Sequence, residues 1–287
     1  MAITNKELDS TPHINPVQGR TMTIGLIGCG KMGSALTQGA IRAGVFELNQ
    51  VLAYDPVPEA IAALGGGITA ADSLDEAIQG SDILLLCVKP YQISGILAKV
   101  ASLVESSDNL LVISIAAGVK IESMEANCQS KARIVRTMPN TPALVGEGAA
   151  AFALGANATG ADAKFCKKLL GAIGLVYQVE EELLDTVTGL SGSGPAYVYT
   201  FIEALADGAL LEGLPRDQAL ALATQTVLGA ARMVAESGEH PALLRDRVTS
   251  PGGTTIAGLA TLEEGAFRST TIKAVKAATD KARELGR

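Results

Sequence analysis

One short segment constrains the fold of this chain more than any other. Residues 22–28 form an apolar run that ends at Gly28-Cys29-Gly30-Lys31-Met32-Gly33, and a stretch of helical character follows at 31–43. In a strand, glycine loop and helix of this kind, the first glycine allows a tight turn and the second lets a ligand approach the backbone. The third lets the helix pack closely on the strand. The segment therefore predicts an α/β fold for this part of the chain.

The same segment is typical of a dinucleotide site. The first N–H groups of a helix have no partner within the helix, and the helix dipole adds a positive potential that favours phosphates. The residues assigned to cofactor binding here are Gly28, Cys29, Gly30, Lys31, Met32 and Gly33. The alternative is a purely structural strand-to-helix turn, because glycine-rich turns are common.

More strand candidates follow along the first part of the chain. They lie at residues 50–54, 82–88, 110–115, 133–136, 149–154 and 175–179. Helical stretches separate them, and this alternation predicts a parallel sheet with crossover helices. We expect an N-terminal Rossmann-like dinucleotide-binding domain over residues 21–179, preceded by a flexible, mostly polar tail at 1–20.

The pattern changes after about residue 180, where strand candidates end. Helices are predicted over 181–212, 215–237, 241–248, 254–264 and 266–285. The first of them is interrupted at Ser191-Gly192-Ser193-Gly194-Pro195, which indicates either close packing or the approach of a ligand. The fold class is therefore α/β, with an all-α domain over residues 180–287 that we expect to serve dimerisation and substrate binding.

Charge and cysteine usage exclude several classes of protein. The net charge is −7 without a Lys or Arg cluster, so a nucleic-acid partner is not expected. No run reaches the roughly 18 apolar residues of a membrane helix, and residues 1–20 do not resemble a secretory signal. The four cysteines fit neither a metal site nor a disulfide framework. We expect free thiols, no metal and a cytoplasmic protein.

Asp55 is a further candidate for the cofactor site. It ends the second strand candidate, 22 residues after Gly33, where an acid can bind the hydroxyls of the adenosine ribose. No Arg follows in residues 56–64 to hold a 2′-phosphate, which favours NADH. The alternative is that Asp55 only starts an Asp-Pro turn.

Three other loops supply candidates. Val88-Lys89-Pro90 closes the strand at 82–88, and a loop at the carboxyl end of a parallel strand faces the ligand crevice. We expect it along the cofactor's ribose, although Lys89 can equally be a solvated surface lysine. Ala116, after the strand at 110–115, is also assigned to the cofactor site. Asn140, before Thr141-Pro142, is expected near the nicotinamide, with a plain turn as the alternative.

Four segments together resemble those of pyrroline-5-carboxylate reductase. They are Val88-Lys89-Pro90, the segment 136–142 (Arg-Thr-Met-Pro-Asn-Thr-Pro), the segment 190–207 and the segment 250–255 (Ser-Pro-Gly-Gly-Thr-Thr). They occur in the family's order, and with the glycine motif the resemblance spans about residues 22 to 286. The segment 250–255 is the most specific of them. By contrast, Cys29 and Asp55 lie at positions where the family varies.

The resemblance implies the reduction of 1-pyrroline-5-carboxylate to L-proline, the final step of proline biosynthesis. It also implies a homodimer with interlocking helical domains, which can assemble into a ring of dimers such as a decamer. NADPH use is common in the family whereas Asp55 favours NADH, so the cofactor prediction is NADPH or NADH.

The segment 250–255 suits the carboxylate of this small substrate. Gly252 and Gly253 allow consecutive N–H groups to converge on an anion, and a helix starting near Thr254 adds its dipole. The catalytic candidates are Ser250 and Thr255, because both hydroxyls can bond the substrate and the resemblance assigns Thr255 to its ring nitrogen. The alternative is that Thr254 or Thr255 only caps a helix.

Three other functions compete with this one. A β-hydroxyacid dehydrogenase needs a Lys or other base on a helix after the cofactor domain, but residues 185–210 contain no Lys. A non-catalytic dinucleotide sensor would not need the segment 250–255. A structural protein built on the helical domain leaves the glycine motif unexplained.

Overall fold

The computed structural model of this chain describes residues 22–105 and 109–286. The predicted tail at 1–20 lies outside these residues. The described chain divides into two compact units, one running to Gly192 and including the residues from Thr279 onward, the other spanning Ser193–Ala278. We call them the sheet unit and the helical unit. The division falls later in the chain than the predicted boundary at 179/180, because Leu184 and its neighbours pack into the core of the sheet unit.

An eight-stranded sheet organises the sheet unit. The strands are β1 (Ile24–Ile27), β2 (Val51–Tyr54), β3 (Thr69–Ala70), β4 (Ile83–Leu86), β5 (Leu111–Ser114), β6 (Arg133–Met138), β7 (Gly148–Leu154) and β8 (Gly174–Gln178). Their order is β3-β2-β1-β4-β5-β6-β7-β8. The first six follow the order of a dinucleotide-binding fold, which confirms the predicted fold class. The chain changes direction across the sheet between β1 and β4, and a crevice is expected there.

The prediction of a wholly parallel sheet is wrong at one position. β7 runs antiparallel to β6, with Thr137 opposite Phe152, while the other neighbouring strands are parallel. Only residues 139–147 connect the two strands, and they contain the 3-10 turn Thr141–Val145. A parallel return needs a crossover of about a dozen residues or more, so this short connection reverses the chain instead.

Helices cover both faces of the sheet. They are α1 (Lys31–Arg42), α2 (Pro58–Ala62), α3 (Leu74–Gln79), α4 (Ile93–Leu103), α5 (Ile121–Asn127), α6 (Gly160–Gly171) and α7 (Leu184–Val187). Successive strand residues point to opposite faces, so Leu85 joins the core with α1 and α6 whereas Leu84 joins the core with α4 and α5. The two cores hold the ends of β1, β2 and β4 in fixed positions.

The helical unit is built differently. Its helices are α8 (Gly194–Leu211), α9 (Arg216–Ser237), α10 (Pro241–Arg247), α11 (Thr254–Glu264) and α12 (Phe267–Leu285), the last of which ends in the sheet unit. Within the described residues, its buried cluster consists of Ala206, Ala219 and Ala223. Many of its larger apolar side chains are exposed, and Leu211 reaches 87%. Across residues 22–105 and 109–286, no helix combines the length and hydropathy needed to cross a membrane.

Candidate functional site

A cavity of about 750 Å³ opens at the carboxyl ends of β1, β2 and β4. This is the position at which open α/β sheets bind their ligands, and its volume is that of a small-molecule site. The predicted cofactor residues that line it are Gly28, Gly30, Lys31, Met32, Asp55, Val88, Lys89, Pro90 and Ala116. Segments predicted separately from the sequence thus meet at a single crevice.

Each glycine of the motif has the geometry that its predicted role requires. Gly28 has φ +94°, and a Cβ there would lie 2.5 Å from the carbonyl oxygen of Cys87. A Cβ on Gly33 would lie 2.2 Å from the carbonyl oxygen of Gly28, so α1 packs on the strand end only with glycine. No atom lies within 4 Å of the Cβ position of Gly30, which faces open space. The loop is therefore tight on its protein side and open where a pyrophosphate would lie.

The first turn of α1 is available to an anion. Gly30 is its N-cap and supplies no side-chain cap, so the N–H groups of Lys31, Met32 and Gly33 keep free bonding capacity. No acidic residue lies in this turn, and Lys31 is exposed at its start. The helix dipole and the lysine together give this end of the cavity a positive potential.

Asp55 lies at the end of β2, and its carboxylate is held from two sides. Oδ2 accepts a hydrogen bond from the backbone N–H of Cys29 at 2.8 Å, and Oδ1 accepts one from the N–H of Val57 at 2.9 Å. The second bond, from two residues further along the chain, is typical of an Asp-Pro turn, so Asp55 does start such a turn. Asp55 also lines the cavity, so the turn does not remove it from the candidate site.

Two thiols lie beside the glycine loop. Burial raises the pKa of Cys29 to about 12, with a further contribution from the Asp55 carboxylate. Burial likewise raises the pKa of Cys87 to about 12, and Cys29 adds to the effect. Both thiols therefore stay protonated at neutral pH and place no negative charge near a bound phosphate.

Lys89 and Pro90 form the wall that follows β4. Lys89 is extended, with φ −69° and ψ 149°, as the following proline predicts. Its backbone N–H donates to Oε1 of Gln92 at 3.1 Å, which fixes the loop, while its side chain is exposed. Lys89 therefore lies at the mouth of the cavity.

Three predicted cofactor residues are not among those that line the cavity in the described structure, namely Cys29, Gly33 and Asn140. Cys29 and Gly33 shape the loop from behind. The side chain of Asn140 is buried and already bonded: its Nδ2 donates to the carbonyl of Ser191 at 3.0 Å, and its Oδ1 accepts from the N–H of Ala149 at 2.8 Å. These two bonds hold the amide in place, and they leave its second N–H and the second lone pair of Oδ1 without an assigned partner among the described residues.

Side chains on one face of β6 and of the two residues after it contact the segment 181–192 at three points. Arg136 is buried and pairs with Glu181 at 3.0 Å and Asp185 at 2.8 Å. Two residues further on, the Cε of Met138 lies 2.6 Å from the Cβ position of Gly192, and two further still Asn140 binds Ser191. The segment 188–192 is a π-helical turn, a form that is frequent at functional sites. Close packing thus explains Gly192.

The loop predicted to bind substrate lies in the helical unit as a tight turn. The N–H of Gly253 donates to the carbonyl of Ser250 at 3.1 Å, with Pro251 and Gly252 between them. Gly252 has φ +68°, which is the left-handed position of a type II turn with proline before it. A Cβ on Gly253 would lie 2.3 Å from Oγ of Ser250, so the serine hydroxyl folds back over the turn.

The alternative, in which Thr254 or Thr255 caps α11, is wrong. The N-cap is Gly253, and no side chain caps the helix. Both threonines lie in the first turn, where their N–H groups have no partner within the helix. Thr255 is half-buried and Thr254 is exposed. Backbone donors and threonine hydroxyls therefore remain available at the start of this helix.

The sequence did not predict every residue of the cavity. Leu74, Gln92, Ile96 and Ala117 also line it. Each comes from a helix or loop whose tertiary position a linear pattern does not reveal. A signal existed for Gln92 and Ala117, because each lies within two residues of a predicted residue, Pro90 or Ala116.

Two family models match different parts of the chain. A model described as NADP oxidoreductase coenzyme F420-dependent matches residues 23–118. A model described as pyrroline-5-carboxylate reductase dimerisation matches residues 181–285. The first covers the glycine motif and the cavity, and the second covers the helices and the segment 250–255.

Similar proteins match nearly the whole chain. A pyrroline-5-carboxylate reductase from Pisum sativum is 45% identical over 274 residues, covering 95% of this chain and 99% of the relative. One from Methanosarcina acetivorans is 47% identical, covering 92% and 98%. A Coxiella burnetii structure of such a reductase has a TM-score of 0.87 at 34% identity, covering 93% and 100%. One from Plasmodium falciparum with NADP bound has a TM-score of 0.83 at 34% identity, covering 93% and 99%.

Proposed function

This chain belongs to the pyrroline-5-carboxylate reductase family, and we propose that its sheet unit binds the dinucleotide while the segment 250–255 binds the substrate. The enzyme reduces 1-pyrroline-5-carboxylate to L-proline with NAD(P)H, the final step of proline biosynthesis. The single observation that carries the division of roles is the cavity at the β1/β4 switch point, which is built around the glycine motif.

The residues of the cavity fit a dinucleotide. The open space above Gly30 and the free N–H groups of the first α1 turn suit the pyrophosphate. The loop from Val88 to Pro90 bounds the cavity after β4, and Ala116 follows β5. A reduced nicotinamide held by these residues would supply the hydride for the imine carbon. The amide of Asn140 also fixes the π-helical turn through the carbonyl of Ser191.

The segment 250–255 suits the substrate's carboxylate and ring nitrogen. We propose that the uncapped N–H groups at the start of α11 and the hydroxyl of Ser250 hold the carboxylate, with Gly252 and Gly253 shaping the turn. The hydroxyl of Thr255 hydrogen-bonds the ring nitrogen. A protonated cyclic imine is already electrophilic, so the site's main task is to orient the carbon.

The direct test follows oxidation of NADH and of NADPH by absorbance, with purified protein and 1-pyrroline-5-carboxylate. We expect oxidation that requires the imine, and replacing Thr255 with alanine should lower kcat about tenfold or more while leaving cofactor Kd within about twofold. Thr261→Ala, on an exposed position of the same helix, is the matched control and should keep the wild-type rate. Equal loss of turnover and cofactor affinity in Thr255→Ala would contradict its assigned role.

We propose that the chain forms a homodimer through the helical unit and that dimers assemble further into a ring such as a decamer. The observation that supports the dimer is that the described residues of this unit bury only a small alanine cluster while its helices expose apolar side chains. Multi-angle light scattering measures both levels. A monomer at micromolar concentration would contradict the proposal, and a dimer without larger species would remove the ring alone.

We also propose a cytoplasmic, reducing compartment. Its support is that Cys29, Cys87, Cys128 and Cys166 are all free thiols and three of them are buried. Cell fractionation with an antibody against the chain tests the compartment, and recovery from an oxidising compartment would contradict it.

A further inference from the structure

We propose that this enzyme selects NADH over NADPH and that Asp55 determines the choice. The inference rests on the cofactor site proposed above. The two cofactors differ only by a phosphate on the 2′-oxygen of the adenosine ribose. Discrimination must therefore come from the part of the cavity that receives this ribose, at the end of β2.

The structure holds the Asp55 carboxylate in place at that point. Each of its oxygens accepts one backbone hydrogen bond, from Cys29 and from Val57, so the group cannot turn away without losing both. A carboxylate has about four acceptor positions, which leaves one on each oxygen for a ribose hydroxyl. Because Tyr54, Asp55 and Pro56 all line the cavity, the group is accessible to a ligand there. It can bind two hydroxyls but would repel a phosphate.

The stretch of chain on either side of Asp55 contributes no positively charged side chain. Residues 43–88, which form β2, α2, β3, α3 and β4, contain no Lys, Arg or His. The same stretch carries seven acids, Glu47, Asp55, Glu59, Asp72, Asp75, Glu76 and Asp82. A 2′-phosphate brings close to two negative charges and would meet a fixed carboxylate without a cation from this region.

The two lysines of the cavity come from either side of this stretch. Lys31 begins α1, and Lys89 follows β4. Both cofactors carry the pyrophosphate that the α1 turn receives, so a lysine that serves it does not distinguish them. Lys31, which lines the cavity together with Asp55, is the rival candidate for contact with a 2′-phosphate.

Binding to the intact protein tests the inference without catalysis. Isothermal titration calorimetry with ADP-ribose and with 2′-phospho-ADP-ribose isolates the adenosine end, and NADH and NADPH complete the set. We expect the wild type to bind the unphosphorylated member of each pair about tenfold tighter or more, the scale of one hydrogen bond to a charged group. Asp55→Asn should reduce that preference by about tenfold, because it removes the charge and keeps one acceptor.

Two variants and a control keep the test decisive if Asp55→Asn folds poorly. Asp55→Ser removes the charge with a smaller side chain, and adding Val57→Arg beside it should favour the phosphorylated ligands. Glu59→Gln, an exposed acid nearby on α2, should leave the preference unchanged. A wild type that binds NADPH as well as NADH overturns the inference. An unchanged preference in both Asp55 variants, or a loss of affinity confined to the phosphorylated ligands in Lys31→Ala, also overturns it.

Steady-state rates separate this inference from the proposed function. Imine-dependent oxidation that prefers NADPH would keep the reductase and overturn the role of Asp55. Nucleotide binding with the expected preference but without imine-dependent oxidation would keep the role of Asp55 and contradict the assigned reaction.

Discussion

The sheet unit and the helical unit bury their side chains in very different ways. In the sheet unit, large apolar residues such as Leu85 and Phe152 are buried in cores on both faces of the sheet. In the helical unit, the described buried cluster holds only alanines, while Leu211, Met233 and Ile272 are more than half exposed. Apolar burial is the main stabilising contribution to a fold, so the first unit is self-sufficient and the second lacks most of what a separate domain needs.

The pattern along α9 indicates what supplies the missing burial. Gln218, Gln225 and Arg232 repeat every seven residues and so form one polar stripe, whereas exposed leucines and Met233 occupy the other directions. A helix that is apolar on most of its surface is normally buried. This pattern supports the proposal that a second copy covers the helical unit, whereas the cavity of the sheet unit is lined by that unit's own residues.

The largest effect is expected in the core of the sheet unit. Phe152→Ala should lower the free energy of unfolding by about 4 kcal/mol, because it leaves a cavity beneath α1 and α6. Urea denaturation followed by circular dichroism measures the change. After correction for dimer dissociation, the change in the free energy of unfolding should not depend on protein concentration. A loss below about 1 kcal/mol would mean that this core is not tightly packed.

A buried ion pair gives the next largest effect. Burial raises the pKa of Asp162, but hydrogen bonds from Arg133 and Thr159 outweigh it, and the net pKa is lowered. Asp162→Asn should destabilise the protein by about 3 kcal/mol at neutral pH, because it leaves the partly buried Arg133 guanidinium without its carboxylate partner. Since the folded pKa lies below the unfolded one, this stabilisation is complete above the ordinary aspartate pKa and is lost as the pH falls through the folded value.

The matched control for this pair is Asp75→Asn on the surface. Asp75 pairs with Lys99, both about half exposed, so the variant should change stability by less than about 1 kcal/mol. Chemical denaturation across a pH series compares the two variants. A deficit of Asp162→Asn that persists undiminished in acid would contradict the role given to its charge.

The third prediction concerns the helical unit. Met233 is 58% exposed, and Met233→Glu should raise the Kd of the dimer roughly 30-fold, about 2 kcal/mol, by placing a charge in the interface. Sedimentation velocity measures the Kd. Gln225→Glu, in the polar stripe of the same helix, is the control and should dimerise as the wild type does. Equal behaviour of the two variants would contradict the interface proposed for α9.

The smallest effect is expected from removing a helix cap, and it should be of similar size in the two units. Ser73 caps α3 by accepting the N–H of Glu76, and His240 caps α10 by accepting the N–H of Ala242. Ser73→Ala should destabilise the sheet unit by about 1 kcal/mol, and His240→Ala should have an effect of similar or smaller size. Thermal denaturation tests both. A much larger loss for His240→Ala would mean that the helical unit depends on local helix ends more than on a partner.

The comparison also explains which parts of the fold the sequence could predict. Buried strands such as β4 form continuous apolar runs, and the glycine motif has a fixed relation to its strand and helix, so both were predicted. β3 was missed because it contains only Thr69 and Ala70, both exposed. The predicted direction of β7 was wrong, because an apolar run does not show which way a strand runs. The short connection from β6 determines that direction.

The site was predictable to the extent that its residues follow strands. Gly28, Asp55 and Lys89 all lie just after strand ends, and a doubly wound sheet brings such ends together. Asn140 follows β6 in the same way, but its side chain is bonded to the π-helical turn at Ser191. The sequence indicated an interruption of the helix there without giving its form or its partner, because both depend on tertiary packing against Met138.

The central claim is that the helical unit requires a second copy. Sedimentation equilibrium of the wild type and of Met233→Glu tests it most directly, with imine-dependent NADH oxidation measured on the same samples. We predict a wild type that is dimeric or larger and active, and a variant that dissociates and loses activity in proportion to its monomer fraction. A folded, fully active wild-type monomer would contradict the account.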